Sequence, residues 1–407
     1  MRKNGVNKEL KPIDGGICAP KGFRASGVRC GIAPVSSPFY HPTREDFALI
    51  AADKLVPTAC VYADGGECGA PVIMTKKHLK SGYSRAVIVN SGIANCGVEG
   101  GEKLAKTVCA AIAKRLKISV SETVIASTGA ITGKFPIDTL LSGVNKLADS
   151  LGCSHEHSLA AARALMTADT AVKQLSFSFM LGDYECKIGA IFKGSRRVCP
   201  NMATTLCFLT TDVNISREML QKALSAVVGD TFNMLNVDGI SSPNDTVCIM
   251  ASGNAGNYKI DCADSEYKKF VYALKETAWR VCKAIVADGE GKSGVFSCSV
   301  SGAKSKNAAR NIAKAVAGAI GTRKAFAKNE VDVEGILCSI LTAGERVELS
   351  NVEISLSSER GKFLLLDEGK SVAFSHENAA RILSGADMEI CIRLHTGNYS
   401  AQALGCF

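Results

Sequence analysis

The hydrophobic positions of this chain follow two spacings along most of its length. Short continuous apolar runs, typical of buried strands, occur at residues 86–90, 123–126, 187–192, 206–210 and 247–252. Segments with an apolar residue every three or four positions, typical of amphipathic helices, occur at residues 100–117, 158–167, 217–228, 265–287 and 308–320. From residue 351 onward, apolar and polar positions alternate as in half-buried strands. The pattern predicts a protein built from both helices and sheets.

The order of these elements distinguishes between two kinds of mixed fold. A parallel sheet of the Rossmann type needs a strict strand–helix–strand rhythm. Here strands and helices follow one another irregularly, and polar loops rich in Gly, Asn and Ser interrupt them. The pattern therefore favours layered sandwiches of helices and sheets, without internal repeats or low-complexity segments.

Composition indicates a folded globular protein and argues against a nucleic-acid surface. Of the 407 residues, 46% are hydrophobic and 21% are charged, which is sufficient for a substantial core. Only 6% are aromatic, with Trp279 as the single tryptophan, so no aromatic platform for stacking bases is expected. The net charge of +9 is spread along the chain, and we interpret pairs such as Lys76-Lys77 and Arg196-Arg197 as solvated surface.

The 17 cysteines are interpreted as reduced thiols buried in the core. No Cys-x-x-Cys spacing occurs, and Cys18, Cys60 and Cys109 each stand singly among apolar neighbours. The first residues are basic but lack the apolar stretch of a secretory signal, and no apolar run is long enough to span a membrane. We therefore expect a soluble cytoplasmic protein without disulfides.

Two further motifs suggest ligands but fit them poorly. His155 and His157 could contribute to a metal site, yet no second ligand pair accompanies them, so we interpret them as part of an exposed loop. The segment from Glu290 to Ser293 is similar to the end of a phosphate-binding loop, but that motif needs a glycine where this chain has Val286. The sequence predicts no metal and no bound cofactor.

Four polar loops follow or precede the predicted strands, where catalytic groups concentrate, at residues 127–129, 193–195, 200–205 and 288–291. The third loop contains Ala203-Thr204. A threonine becomes a nucleophile only when a base removes its proton, and cleavage before Thr204 would free an α-amine, with a pKa of about 7.7–8, as that base. Because Ala-Thr is a common dipeptide, an ordinary strand start remains the alternative from the residues alone.

The composition of these loops resembles the ornithine acetyltransferase family, also called the glutamate N-acetyltransferase or arginine-biosynthesis bifunctional family. The matching segments occur in the family's order within residues 13–300, after which the resemblance thins. They are GGICAPKGF (15–23), NSGIANC (90–96), STG (127–129), MTADT (166–170), KGS (193–195), PNMAT (200–204), VDG (237–239), SPNDT (242–246) and DGEG (288–291).

The resemblance implies a fold of α+β class, a layered αββα-type sandwich of the self-cleaving ornithine acetyltransferase and aminopeptidase superfamily. Cleavage between Ala203 and Thr204 would separate an alpha chain, residues 1–203, from a beta chain, residues 204–407, that begins with the nucleophile. Thr128 and Gly129 would form the oxyanion hole through a hydroxyl and a backbone N–H. A heterotetramer of two alpha and two beta chains is expected.

The resemblance also implies a pocket for a zwitterionic amino acid. It would be lined by Thr167, Thr170, Lys193, Thr204 and Glu290. Lys193 would meet a carboxylate and Glu290 an amine. Taken without the family, Lys193 is better interpreted as an ordinary surface lysine beside a turn.

Two segments depart from the family's pattern. Residues 322–335 lack its Asp-Pro-Asn-Trp-Gly-Arg type of segment, and the chain stops at Phe407, short of the tail whose Asn and terminal Thr or Ser contact substrate. Self-cleavage needs only the region of Ala203 and Thr204, so we expect it to be normal. We expect weaker binding of acetylornithine, because hydrogen bonds to the substrate are missing.

The implied reaction is a ping-pong transfer that recycles acetyl groups in arginine synthesis. Thr204 would take the acetyl group from N-acetylornithine and pass it to glutamate. Acetylation of glutamate by acetyl-CoA is a second activity that the resemblance leaves open. The alternatives are a related self-cleaving aminopeptidase or amidase, in which water accepts the acyl group, and a processed but catalytically impaired remnant.

The sequence predicts that the purified protein consists of two chains of nearly equal length, because cleavage after Ala203 divides 407 residues almost in half. Denaturing electrophoresis with N-terminal sequencing should find a second chain that begins Thr204-Thr205-Leu206. A single uncut chain in an active preparation would contradict self-cleavage.

Overall fold

The computed structural model describes residues 10–62, 68–131, 133–195, 205–237, 242–288 and 294–407. The strands in these ranges are β1 (Lys11–Pro12), β2 (Phe23–Val28), β3 (Phe47–Tyr62), β4 (Tyr83–Asn90), β5 (Thr123–Ser127), β6 (Gln174–Leu181), β7 (Tyr184–Lys193), β8 (Leu206–Thr211), β9 (Leu235–Asn236), β10 (Thr246–Ala251), β11 (Val295–Ala303), β12 (Glu353–Ser358), β13 (Gly361–Asp367), β14 (Lys370–Ser371), β15 (Met388–Arg393) and β16 (Tyr399–Cys406). The helices are α1 (Ala70–His78), α2 (Gly101–Leu116), α3 (Ile137–Asp149), α4 (His155–Leu165), α5 (Arg217–Asp230), α6 (Ser265–Ala287), α7 (Lys306–Gly318), α8 (Ile320–Phe326), α9 (Val333–Leu341) and α10 (His376–Leu383). None of the helices in these ranges is long and apolar enough to cross a membrane. The predicted α+β class is confirmed.

The described residues divide into two compact units. The first contains residues 10–194, 205–228 and 242–281, and the second contains residue 195 and residues 229–237 and 282–407, apart from the gaps given above. The predicted boundary between alpha and beta chains, at 203/204, lies outside the described residues and stays a prediction.

The first unit is built on one mixed sheet with the strand order β1-β6-β7-β8-β10-β3-β4-β5, and β2 pairs with β3 beside this path. The pairs β8–β10 and β4–β5 are parallel, and the other pairs are antiparallel. The long strand β3 belongs to both halves of the sheet, and its register against β4 shifts between Ala51 and Val56. An irregularity of this kind bends a strand. The shift lies between the part of β3 that pairs with β2 and the part that pairs with β10.

Strand β4 shows why the core of the first unit has two layers. Successive side chains of a strand point to opposite faces. Val87 and Val89 pack in the cluster that contains Leu165 of α4, whereas Ile88 packs on the other face with Ile112 of α2. Burying each of these side chains contributes about 1.5–3 kcal/mol. A strand covered on both faces is therefore apolar throughout, as the run at residues 86–90 predicts.

The second unit has its own mixed sheet, with the strand order β14-β13-β12-β15-β11-β16-β9. Helix α7 packs on β11 and β16, and α10 packs on β12 and β13. Helix α7 buries Ile312 and Val316 on one side, and its first turn is capped by Ser305, whose hydroxyl accepts a hydrogen bond from Ala308 N at 3.0 Å. The unit thus forms a sheet with helices packed against it.

Three expectations about local structure need correction. The alternation predicted after residue 351 is interrupted by α10, which begins where Ser375 accepts a hydrogen bond from Asn378 N. His155 and His157 lie in the first turns of α4 and not in a loop. The Nδ1 atom of His157 is 2.6 Å from Ser154 Oγ, at the helix start. The first three residues of α4 are polar and show no apolar period, which is why the prediction began at residue 158.

The cysteines are less uniformly buried than expected. Cys18, Cys109 and Cys207 are buried free thiols, and burial raises the pKa of Cys109 to about 11. Cys153 and Cys262, by contrast, are exposed free thiols. The buried thiols behave as small apolar groups.

Candidate active site

The predicted oxyanion residues lie in a turn that follows β5. The hydroxyl of Ser127, the last residue of β5, donates to Asn90 Oδ1 at 2.6 Å, and Thr128 N donates to Asn90 O at 3.0 Å. Asn90 is the last residue of β4, and its Nδ2 donates to Ile93 O at 2.9 Å, which fixes the turn that follows the strand. The segments that leave β4 and β5 are therefore fixed to each other by side-chain and backbone bonds.

Gly129 must be a glycine at this place. Its φ of +127° is one that side-chain-bearing residues rarely adopt, and an added Cβ would lie 2.3 Å from Gly92 C and 2.6 Å from Ile93 N. Beside it, Ala130 N donates to Gly92 O and Ala94 N donates to Ala130 O. The backbone of Gly129 is thus held in one conformation, as a preorganised N–H donor requires.

Lys193, the last residue of β7, contacts this turn. Its side chain is buried, and its Nζ donates to Thr128 Oγ1 at 3.3 Å. The alternative of an ordinary surface lysine is therefore wrong. A hydroxyl that accepts from an ammonium directs its own hydrogen elsewhere, and no acceptor for that hydrogen is found in the described part of the chain. The Thr128 hydroxyl therefore keeps a hydrogen that it can donate, next to a positive charge.

Asp169 joins the loop after α4 to the end of β7. Its carboxylate accepts from Lys173 Nζ at 2.8 Å, from Thr167 N at 3.0 Å and from Gly194 N at 2.8 Å. Burial raises the pKa of Asp169, but the ammonium groups of Lys193 and Lys173 and these hydrogen bonds outweigh it and hold that pKa at about 2. Asp169 is a buried anion that balances buried cations.

The structure brings several of the residues expected at the site together. Thr128, Gly129, Lys193 and Thr167 lie in one connected network, and Thr170 is an exposed residue of the same loop as Thr167. Ala203, Thr204 and Glu290 lie outside the described residues. The catalytic and substrate-binding roles given to all these residues stay predictions.

Comparison with known proteins establishes the family to which this chain belongs. The model of the ArgJ family matches residues 24–407. The arginine biosynthesis bifunctional protein ArgJ of Caldanaerobacter subterraneus subsp. tengcongensis is 33% identical over 398 residues, covering 98% of this chain and 96% of its own. The chain belongs to the ArgJ family. A second relative, arginine biosynthesis bifunctional protein ArgJ 1 of Clostridium acetobutylicum, is 34% identical over 385 residues, covering 94% of this chain and 92% of its own.

Solved structures of ArgJ proteins match part of the chain. The crystal structure of arginine biosynthesis bifunctional protein ArgJ from Bacillus halodurans is 32% identical, covers 49% of this chain and 92% of its own, and gives a TM-score of 0.46. That of ornithine acetyltransferase complexed with ornithine from Mycobacterium tuberculosis is 31% identical, covers 42% of this chain and 88% of its own, and gives a TM-score of 0.35. The ArgJ family match continues to residue 407, beyond the segments within residues 13–300 that carry the resemblance.

Sequence reasoning on this ArgJ-family chain assigned no role to three buried polar residues of the same network, Asp169, Asn244 and Asp245. Asn244 Nδ2 donates to Ser127 O at 3.1 Å, although β10 and β5 are separated by two strands in the sheet. Burial raises the pKa of Asp245 well above its ordinary value, against the effect of nearby Lys193. The available signal was a carboxylate and a carboxamide directly before an apolar strand, which occurs equally in exposed turns.

Replacing Asp169 with Asn is expected to lower the melting temperature at pH 7, because it removes the anion beside Lys173 and Lys193. The folded-state pKa of about 2 lies below the unfolded-state value, so the carboxylate contributes on the order of 2 kcal/mol above about pH 4. That contribution is lost as the pH falls towards 2. Thermal unfolding of wild type and variant should therefore differ by a constant amount between pH 7 and 5 and converge at lower pH.

The matched control for Asp169 is Asp149→Asn, which alters an exposed carboxylate paired with Arg115 and should leave the melting temperature nearly unchanged. Equal melting temperatures of wild type and Asp169→Asn at pH 7, or a difference that grows on acidification, would contradict this account.

Proposed function

We propose that this chain cuts itself between Ala203 and Thr204 and then transfers an acetyl group from N-acetylornithine to glutamate through an ester on Thr204. As a member of the ArgJ family it is an N-acetyltransferase of arginine biosynthesis. The observation that carries the proposal is the contact of buried Lys193 with Thr128, next to the constrained Gly129. These groups form a donor site of the kind that acyl transfer needs.

The oxyanion step follows from this geometry. When a nucleophile attacks the acetyl carbonyl, its oxygen takes a negative charge. The Gly129 N–H and the Thr128 O–H donate to that oxygen, and the Lys193 ammonium, which already donates to Thr128 Oγ1, makes the hydroxyl a stronger donor. Because Lys193 is buried, its charge is weakly screened by water.

The register of the sheet supports a nucleophile close to Lys193. Lys193 pairs with Leu206, the first residue of β8, and Thr205 before it is almost fully buried. Thr204 directly precedes Thr205. The new amino terminus would therefore lie at the start of β8, beside Lys193 at the end of β7. The freed α-amine, with a pKa of about 7.7–8, is a suitable base for the Thr204 hydroxyl.

The two half-reactions balance as follows. Thr204 Oγ bonds to the acetyl carbon, the bond from that carbon to the ornithine nitrogen breaks, and the nitrogen takes the proton that the α-amine removed from Thr204. Glutamate then attacks the ester through its neutral amine, the ester bond breaks, and the α-amine of Thr204 carries the proton that the attacking nitrogen loses to the Thr204 oxygen. No metal or redox partner enters either step.

The substrate pocket is proposed from the same residues. Lys193 and Glu290 would meet the carboxylate and the amine of the amino acid, and Thr167 and Thr170 would contact the substrate from the loop after α4. Asp169 supports this arrangement, because it ties Thr167 N and Gly194 N to one carboxylate. We further propose a heterotetramer of two alpha and two beta chains, and acetyl-CoA-dependent acetylation of glutamate as a second activity.

Thr204→Ala tests the nucleophile. Alanine has no hydroxyl, so self-cleavage and transfer from acetylornithine to glutamate should both disappear, whereas Thr204→Ser should still cleave. Electrophoresis follows cleavage, and chromatography of acetylglutamate and free acetate follows transfer. An alanine variant that still transfers acetyl groups would require another nucleophile. Wild-type protein that releases acetate without forming acetylglutamate would instead be a hydrolase.

Thr128→Val tests the oxyanion hole. Valine keeps the shape of threonine but cannot donate, so kcat should fall about 100- to 1000-fold, with KM changed little. Thr342→Val, which alters an exposed threonine at the end of α9, is the control and should leave both constants unchanged. An effect on KM alone would place Thr128 in ground-state binding of the substrate.

A further inference from the structure

We infer that Asn244 and Asp245 are positioning residues. Together they fix the start of β8, which follows Thr204, relative to the turn that contains Thr128 and Gly129, here called the oxyanion turn. The two residues are consecutive. The side chain of Asn244 bonds to the segments around Thr128, and that of Asp245 bonds to the backbone of Thr205. The inference rests on the proposed function and deepens it. Its support comes from hydrogen bonds and burial in the first unit.

Asn244 holds the oxyanion side. Its side chain is buried, and Nδ2 donates to Ser127 O, at 3.1 Å, and to Ala94 O. Ser127 directly precedes Thr128, and Ala94 belongs to the segment against which Gly129 packs. One amide group therefore bonds to both segments that form the turn.

The fit around Asn244 is close enough to act as a constraint. Gly69 N donates to Pro243 O at 3.0 Å, and a Cβ added to Gly69 would lie 1.7 Å from Asn244 Oδ1. A side chain at residue 69 would therefore displace the Asn244 amide, and the glycine leaves room for it. The position of Asn244 is thus set by backbone contacts on one side and by the oxyanion turn on the other.

Asp245 holds the nucleophile side. Its carboxylate, 4% exposed, accepts from the backbone N–H of Thr205 and from Ser242 N at 3.3 Å. The hydroxyl of Thr205 has no partner in the described part of the chain, whereas its carbonyl accepts from Thr246 N at 3.1 Å. Backbone bonds to Asp245 and its neighbour therefore position the residue that follows Thr204.

This arrangement matters for rate because acyl transfer depends on short distances. A misplacement of about 1 Å can cost about 100-fold in rate. The oxyanion turn follows β5 and the nucleophile precedes β8, which are not neighbours in the sheet. The Asn244–Asp245 pair, at the start of β10, spans that separation. It should affect self-cleavage and transfer alike, since both place a negative charge on an oxygen near Thr204.

The test compares two substitutions of Asp245 with the same two at a matched carboxylate. Asp245→Asn keeps an oxygen acceptor of the same reach, whereas Asp245→Glu keeps the carboxylate but lengthens it by one methylene. Asp212 is the matched control. It is buried at the opposite end of β8 and accepts two backbone N–H bonds, from Lys187 at 2.7 Å and from Lys21 at 3.3 Å. Burial raises the pKa of both carboxyls.

The measurements are the self-cleavage rate of newly folded chain, kcat and KM for transfer from acetylornithine to glutamate, and melting temperature. Asp245→Glu should lower kcat about 100-fold with KM unchanged within a few-fold, and should slow self-cleavage. Asp245→Asn should retain most of the wild-type kcat and most of the wild-type self-cleavage rate. Asp212→Glu should lower the melting temperature by a similar amount but leave kcat within a few-fold of wild type.

Other outcomes overturn the inference. If the Asp245 and Asp212 variants lose kcat in proportion to their loss of melting temperature, Asp245 is only structural. If Asp245→Glu is fully active while Asp245→Asn is not, the charge matters and the position does not. Failure of the proposed function looks different, because wild-type protein would then form no acetylglutamate from acetylornithine, and the inference would fall with it.

Discussion

The buried ammonium group of Lys193 is the constraint on which the site depends. A charge removed from water must be compensated by opposite charge and hydrogen bonds. Here the compensation comes from Asp169, whose low pKa reflects the ammonium groups of Lys193 and Lys173. The contact with Thr128 then places this charge beside the oxyanion turn. The contacts that compensate the buried charge of Lys193 therefore also hold it against Thr128.

This arrangement joins strands that are not neighbours in the sheet. The segments that meet around Lys193 come from the end of β5, the end of β7 and the starts of β8 and β10. In the sheet, β5 and β10 are separated by two strands, and the register of one of them, β3, is irregular. Polar side chains link segments that the backbone ladder does not join. Asp169 bonds to Thr167 and Gly194, and Asn244, just before β10, bonds to the end of β5.

The elements with a clear apolar period could be predicted from the sequence, but the charge network could not. The helix expected at residues 265–287 and the strand at 86–90 are present because their patterns directly reflect burial. Helix α10 was missed because eight residues give too few turns for a period. Asp169 and Asp245 have the local sequence of exposed turns, and only the tertiary fold reveals that they are buried. The family resemblance located Thr128 and Lys193 but not their contact.

The central claim is that the acetyl group passes through Thr204. Its most direct test is mass spectrometry of the protein after incubation with N-acetylornithine in the absence of glutamate. The account predicts an acetyl group on the amino-terminal residue of the chain that begins at Thr204, and its loss, with formation of acetylglutamate, when glutamate is added. An acetyl group on any other residue, or turnover without an acetylated chain, would contradict it.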